Sequence, residues 1–377
     1  MTDTVGDDSV RADVDLGAIR ANVGALLDVA APAAVLAVVK ANAYGHGAVP
    51  VARAVLDAGA SWLGVARVAE GAQLREGGIE APIMLLSEAA PWAAPAVVAC
   101  GLTPVVYTAA GIDALAKAVA DAGGREALPV HLKVHTGMHR VGCAPGEAVA
   151  LADLVVARDE LVLGGVCTHL ALADQPADPY TREQLARFDA VLAELGRRVG
   201  RPGVVHAANS AALLAFPEAR YDLVRVGIAL YGVPPAPTLD GAVALRPALS
   251  LRSRVTHVKR LDAGDRVSYG LRYELAASSR IATVAAGYAD GVPRNLGLAG
   301  GKVLLRGRRY PIAGVVTMDQ LMVDVGDDPV EPGDEVVLLG RQGDEHVTAT
   351  EWAERLGTIA YEIVTGIGPR VPRRYDS

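Results

Sequence analysis

Residues 34–67 read AVLAVVKANAYGHGAVPVARAVLDAGASWLGVAR. An apolar run rich in valine, ending at Lys40, gives way to a turn rich in Gly and Asn, then to VARAVLDAG, an Ala/Val/Leu segment of helical texture. A second apolar run, WLGVAR, ends at Arg67. Short β-branched runs alternating with longer helical segments are the pattern of βα units around a parallel sheet.

The rhythm continues to residue 230. IMLLS ends at Ser87, TPVVY at Tyr107, VHLKV at Val134, VLGGVCTH at His169, VVHAANS at Ser210 and LVRVGIAL at Leu230. Helical segments such as TREQLARFDAVLAELGRRV, with apolar residues three and four apart, lie between them. Eight such units predict a closed (β/α)8 barrel. An open doubly wound sheet is the alternative, disfavoured because no GxGxxG follows the first strand. Ala89 to Ile112 carries no charge, but Pro91, Pro95, Gly101 and Pro104 break it. That stretch reads as a short helix and a buried strand rather than a membrane span.

After Leu230 the Pro-rich GVPPAPTLDG reads as a linker, and the texture changes. SLRSRVTHVKRL, GDRVSYG, RIATVAAGY, KVLLRGRRYPIAGVVT, QLMVDVG and DEVVLLG are strands parted by Gly and Pro, with helix returning only in TATEWAERLGTIAYEIV. The expected domains are a barrel over 1–240 and a β-rich domain over 241–377. A chain of 377 residues also exceeds the size at which one core keeps growing.

Thirty-six basic against 43 acidic residues give a net charge of -7, which supplies no reason for a nucleic-acid or anionic-membrane partner. Cys100, Cys143 and Cys167 are sparse and free of CxxC spacing, which points to a reducing cytoplasm rather than disulfides. The N-terminus has acids where a secretory leader would have bases, so no export is expected.

In a barrel of this kind the chemistry sits at the carboxyl ends of the strands. Lys40 closes the first run, Arg140 follows the fifth, His169 ends the sixth, Asn209 and Ser210 the seventh, and Arg225 and Gly227 belong to the eighth. Partial burial lowers a lysine's pKa and makes available the neutral amine that attacks an aldehyde. Taken alone, Lys40 reads better as an ordinary surface lysine at a strand end.

Its surroundings change the balance. Lys40-Ala41-Asn42-Ala43-Tyr44-Gly45-His46-Gly47 resembles the cofactor-lysine motif of the alanine racemase family, and the likeness continues through LKVHTGMHRVG, THLA, ANS, VRVGIALYG, VSYG, GYADGVPRN, TMDQLMVDVG and AYEIVTGIGPRVPR. The resemblance implies that Lys40 carries pyridoxal 5'-phosphate. Tyr44, Ser210, Gly227, Ile228 and Tyr361 then hold its phosphate, Arg225 faces the pyridine nitrogen, and His169 supports that arginine, with Asn209 beside them. Arg225 implies an unprotonated ring nitrogen, favouring racemisation over transamination.

Racemisation needs a base on each face of a planar carbanion. The family likeness gives those roles to Lys40, for D-alanine, and to Tyr269, for L-alanine, the tyrosine reaching over from the partner in a homodimer. It gives Arg140 the substrate carboxylate and the phenol, places Met318 and Asp319 at the substrate mouth, and makes Lys133 a candidate for carbamylation. His135 and Thr317 depart from the family's usual Asp and Cys. Tyr288 and Tyr273 remain candidates for an access channel, or for packing alone.

Rival readings exist. His131, Lys133, His135 and His169 could serve a metal-dependent barrel hydrolase, although no HxH pair marks the first strand. A non-catalytic pyridoxal-phosphate carrier needs no second domain. A serine or broad-specificity racemase, or a decarboxylase on the related fold, would keep the scaffold and change the pocket. The implied role is alanine racemisation supplying D-alanine for peptidoglycan, with pyridoxal phosphate as cofactor and no metal.

Overall fold

The computed structural model describes residues 9–123 and 126–376. The N-terminal acids Asp3, Asp7 and Asp8 lie outside the described residues. By contacts the chain forms two units, one of Ala18–Ala43 and Ala48–Arg246, the other of the residues up to Gly17, Tyr44–Gly47 and Pro247 onward. The strand-rich unit is therefore assembled from three segments, whereas a single cut at 240/241 would give it one.

Its N-terminal segment contributes β1 (Val10–Asp15), which the sequence reading left inside the barrel. The barrel strands are β2 (Ala34–Val38), β3 (Trp62–Val65), β4 (Ile83–Leu85), β5 (Thr103–Val106), β6 (Leu128–Lys133), β7 (Leu161–Cys167), β8 (Val204–His206) and β9 (Leu223–Val226). They fall on the eight expected runs, are parallel, and follow the order β8-β7-β6-β5-β4-β3-β2-β9. Between β8 and β9 the barrel closes without a regular ladder: Asp222 N–H donates to Val205 O at 3.0 Å and Arg225 N–H to Ala208 O at 2.9 Å.

Helices cover the outside, so the strands are apolar on both faces. Val35, Leu36, Ala37, Leu63, Ile83 and Met84 are all fully buried. The helix Tyr180–Val199 buries Leu185, Phe188, Val191 and Leu195 along one stripe, with Glu183 in its first turn and Arg197 and Arg198 in its last, as its dipole favours. Full burial of a side chain such as Phe188 contributes about 2–3 kcal/mol. The uncharged stretch from Ala89 becomes the helix Ala94–Ala99 and then buried β5. Among the described residues no helix is long and apolar enough to cross a membrane.

In the strand-rich unit β10 (Leu249–Leu261) is the organiser, pairing with β1, β13 (Ser279–Val284) and β17 (Glu335–Gln342). Between β10 and β13 lies a small hairpin of β11 (Arg266–Val267) and β12 (Tyr273–Glu274), and the turn joining them carries Tyr269. Strands β14 (Lys302–Leu305), β15 (Arg308–Pro311), β16 (Leu321–Gly326) and β18 (Glu345–Val347) extend the sheet. The last strand, β19 (Arg373–Asp376), runs parallel to β1, so both ends of the described chain meet on one sheet. The expected C-terminal helix is two, Ala349–Leu356 and Ala360–Thr365, because Gly357 takes a left-handed φ of 67° and ends the first.

Candidate active site

In the barrel unit the strands stop one to four residues before the ends read from sequence, and the polar residues fall in the turns that follow. Lys40 comes two residues after β2 and opens a turn in which Ala41, Asn42, Ala43 and Tyr44 all have positive φ, 51°, 54°, 53° and 52°. Left-handed backbone costs a non-glycine residue roughly 1–2 kcal/mol, so the turn requires fastening. Ala41 N–H donates to Glu70 Oε1 at 2.8 Å, and Ala48 N–H to Asn42 Oδ1 at 2.8 Å. The half-buried Lys40 amine has a lowered pKa, first through burial and then through the Arg140 charge, with Glu70 opposing.

Lys133 ends β6, is buried, and donates to Leu86 O at 2.8 Å. Its pKa is lowered to about 8 by burial, with Arg225, Arg140 and Lys40 adding to the effect and Cys167 opposing it. Arg140 stands exposed on the loop beyond, after His139 at a φ of 55°.

Arg225, on β9, is the centre of a buried network. One of its terminal nitrogens, Nη1, donates to His206 Nδ1 at 2.8 Å. The other, Nη2, reaches Thr168 O at 2.8 Å, Ala207 O at 2.9 Å and His169 Nδ1 at 3.1 Å. Guanidinium only donates, so both histidines accept on Nδ1 and keep their hydrogen on Nε2. His206 Nε2 then donates to His131 Nδ1 at 2.9 Å. Burial, reinforced by the Arg225 charge, holds His169 and His206 well below the usual histidine range and lowers His131 to about 4. All three imidazoles are neutral. His206 was not singled out from sequence, and His131 only for a metal; their place beside Arg225 depends on neighbouring strands.

Ser210 starts the helix Ser210–Ala215, and its hydroxyl accepts from Gly227 N–H at 2.9 Å. Asn209 caps that helix, accepting from Ala212 N–H at 2.9 Å. Ile228 begins a 3-10 turn, Ile228–Tyr231. The serine, Gly227 and Ile228 thus converge at the ends of β8 and β9.

The strand-rich unit holds the other expected residues. Tyr269 is 73% exposed. Its turn is held by the Ser268 hydroxyl, which donates to Val315 O at 2.7 Å. Met318 is exposed too, and its carbonyl accepts from Ala289 N–H at 3.0 Å while Thr317 O accepts from Tyr288 N–H at 2.9 Å. Asp319 is ion-paired at 2.9 Å with Arg370, which also grips buried Asp290 at 2.6 Å. Tyr44 and Tyr361 lie together, ring centroids 6.1 Å apart, and burial pushes the Tyr44 phenol up to about 12. Tyr273 packs on the Val267, Leu275, Ile281 and Ala313 cluster and donates to Asp324 at 3.0 Å. The exposed Tyr288 begins the short turn Tyr288–Asp290.

The hydrolase arrangement is not assembled. His131 is engaged with His206 and Lys133 with a carbonyl, while His135 stacks near His139 with centroids 4.9 Å apart. Among the described residues no group of three or more His, Cys, Asp or Glu is placed to hold a metal ion. The barrel residues do fit pyridoxal phosphate. Lys133 feels Arg225, Arg140 and Lys40 as like charges and Lys40 feels Arg140, while among the described residues Glu70 is the carboxylate that acts on the Lys40 amine. An amine with a lowered pKa in a field of excess positive charge, near hydroxyl and amide donors, suits an aldehyde that bears a phosphate.

Comparison with known proteins agrees. Residues 14–235 match the alanine racemase N-terminal domain and 248–375 the alanine racemase C-terminal domain. An alanine racemase of Symbiobacterium thermophilum is 53% identical over 97% of this chain and 96% of its own length. The crystal structure of alanine racemase from Streptomyces lavendulae superposes with a TM-score of 0.92 at 43% identity, covering 98% of this chain and 97% of that one. A histidine racemase from Leuconostoc mesenteroides gives 0.87 at 30% identity, covering 98% of each. With both domain matches spanning nearly all of it, the chain belongs to the alanine racemase family.

Proposed function

We propose that this protein interconverts L- and D-alanine, with pyridoxal 5'-phosphate carried by Lys40 in a homodimer where Tyr269 of the partner subunit serves the opposite face. The observation that carries the reading is the Lys40 amine, half-buried two residues beyond a barrel strand, its pKa lowered by burial and Arg140. The bound cofactor supplies an electron-withdrawing ring that acidifies the α-carbon of the amino acid attached to it.

The chain's own residues do the rest. Neutral Lys40 Nζ takes the α-proton on the D-alanine side, and Tyr269 Oη takes or returns it on the L-alanine side. Arg225, held by His206, His169 and two carbonyls, would donate toward the ring nitrogen while keeping its own proton, so that the nitrogen stays unprotonated. His169 and Asn209 act through position, one on the arginine and one on the helix that starts at Ser210. Ser210, Gly227 and Ile228, which converge at the ends of β8 and β9, would hold the phosphate. Arg140 and the amide of the partner subunit's Met318 would bind the substrate carboxylate, with the partner's Asp319 lining the mouth.

Lys133, with its pKa near 8, presents enough neutral amine to take up carbon dioxide. The resulting carbamate would relieve the excess positive charge and orient Arg140. Exposure of Tyr269, Leu271, Tyr288, Met318 and Ile359 on the strand-rich unit supports the dimer, which would cover apolar surface there. The D-alanine formed would serve peptidoglycan in the cytoplasm. A broader substrate range is the second reading, favoured by the likeness to a histidine racemase.

The test incubates the cofactor-loaded protein with L-alanine in deuterated water and follows loss of the α-proton signal alongside appearance of D-alanine. Both together support the two-base reading, exchange of L-alanine without inversion keeps Tyr269 and removes Lys40 as the base of the opposite face, and neither signal refutes the activity.

A further inference from the structure

Just past Lys40, the Ala41 amide is joined to the next βα unit through a carboxylate. Glu70 Oε1 accepts from Ala41 N–H at 2.8 Å, while Oε2 accepts from Ala66 N–H at 2.8 Å and Arg67 N–H at 3.1 Å. The last two amides open the helix Val68–Glu76, whose third residue is Glu70 itself, so this side chain caps its own helix. One oxygen is left for the amide directly after the lysine. That amide begins the left-handed turn, a run of alanines and asparagine whose own preference is for other backbone regions.

We propose that Glu70 is a positioning residue for Lys40: by joining the Ala41 amide to the start of the neighbouring helix, its carboxylate fixes the direction in which the lysine side chain leaves the barrel. The inference rests on the reading of Lys40 as cofactor carrier and base. Both oxygens are needed. A glutamine would present an amino group to one set of N–H donors, and would therefore fail where an aspartate keeps the acceptors at shorter reach. A cavity of about 600 Å³ lined by Lys40, Ala41, Arg67, Glu70 and Gln73 lies beside the carboxylate, so the lysine has open space on this side. Glu70 is also the anion that raises the Lys40 pKa against burial and Arg140.

The experiment compares wild type with Glu70→Gln and Glu70→Asp. Thr348→Ala, which removes a helix cap in the strand-rich unit, serves as a control for lost stability. Hydrogen exchange at Ala41 is measured on each apoprotein, cofactor loading is followed across pH, and kcat is expressed per bound cofactor. Glu70→Gln is expected to exchange at Ala41 at least about tenfold faster and to lose about 10- to 100-fold in kcat per cofactor, the usual effect of a displacement near 1 Å. KM is expected to change little, and the loading profile to move to lower pH because an anion has left the amine. Glu70→Asp should recover part of the kcat and the pH position, and Thr348→Ala should alter neither. Wild-type exchange and kcat in Glu70→Gln would overturn the proposal, as would a kcat loss per cofactor no larger than that of Thr348→Ala. A wild type that neither loads the cofactor nor racemises alanine would instead refute the proposed function, leaving the exchange result to judge Glu70 by itself.

Discussion

Gly287 offers a sharp test of the substrate-mouth reading. A Cβ at this position would lie 2.1 Å from Met318 O, 2.3 Å from Met318 C and 2.4 Å from Thr317 O, all backbone atoms. Ordinary contact begins at 3.4 Å, so the Met318 peptide would have to retreat by 1.3 Å in Gly287→Ala. The φ of Gly287 is -143°, open to alanine, which leaves the collision as the sole obstacle. Two hydrogen bonds, from Tyr288 N–H to Thr317 O and from Ala289 N–H to Met318 O, hold the loops at this distance and would stretch with the shift.

Overpacking of this kind costs about 1–3 kcal/mol, and with an unfolding entropy of about 2.1 cal/mol/K per residue a chain of 377 residues loses roughly 1 °C of Tm per kcal/mol. The larger consequence is for the Met318 amide. If it meets the substrate carboxylate, a displacement of this size costs about 10²-fold in kcat/KM. Steady-state kinetics of the cofactor-loaded variant in both directions, with a thermal melt beside them, measure the two effects separately. A variant with the expected drop in Tm and wild-type kcat/KM would remove Met318 from the substrate mouth. One that kept both would show that the loops move apart freely, against the clamp formed by Arg370 with Asp290 and Asp319.

Tyr269→Phe should leave the melting temperature unchanged, since a 73% exposed side chain contributes within about ±0.5 kcal/mol. Conversion of L-alanine should fall by about 10²–10⁴-fold, and retained activity in chiral assay would sink the second base. Arg225→Met would leave two histidine nitrogens and two carbonyls without their buried donor, and denaturant titration should show a loss of about 1–3 kcal/mol for each acceptor left unsatisfied. A loss under 1 kcal/mol would mean that the guanidinium network contributes little. Lys133 should reveal itself through pH. Because its folded pKa, about 8, lies below the unfolded value, the unfolded chain binds more protons between about 8 and 10.5, so stability rises with pH across that window and its benefit is lost as pH falls. In melts without bicarbonate, Lys133→Met should flatten that rise and gain most over wild type below pH 8. Parallel wild-type and variant curves would refute the buried, uncarbamylated lysine.

Much of the barrel is legible in the sequence because its signal is local. Each strand is a short β-branched run buried on both faces, and each helix keeps its apolar stripe, so β2 to β9 stand where the runs place them. The N-terminal strand was not legible. Val10–Asp15 alternates too briefly to be distinguished from the start of the barrel, and its partners are Leu249–Leu261 and Arg373–Asp376, at the far end of the chain. The break at Gly357 was visible as a residue but not as a cap, since a glycine inside an apolar helical pattern is equally compatible with continuation.

The site divides along the same line. Lys40, Arg140 and Arg225 could be named one at a time because each stands at the end of a recognisable strand. What makes them chemically unusual is mutual. Beyond burial, the Lys40 pKa is lowered by Arg140, a hundred residues away, and that of Lys133 by Arg225 and Lys40 from two other βα segments and by Arg140 from its own. Glu70 and His206 carry no distinguishing pattern of their own. Each becomes informative only once the parallel sheet puts its strand beside that of a reactive residue, Glu70 next to the turn after β2 and His206 next to Arg225 on β9. The side chains that receive or carry charge can therefore be read from the end of a strand, whereas those that aim and tune them follow from the order of the strands around the barrel.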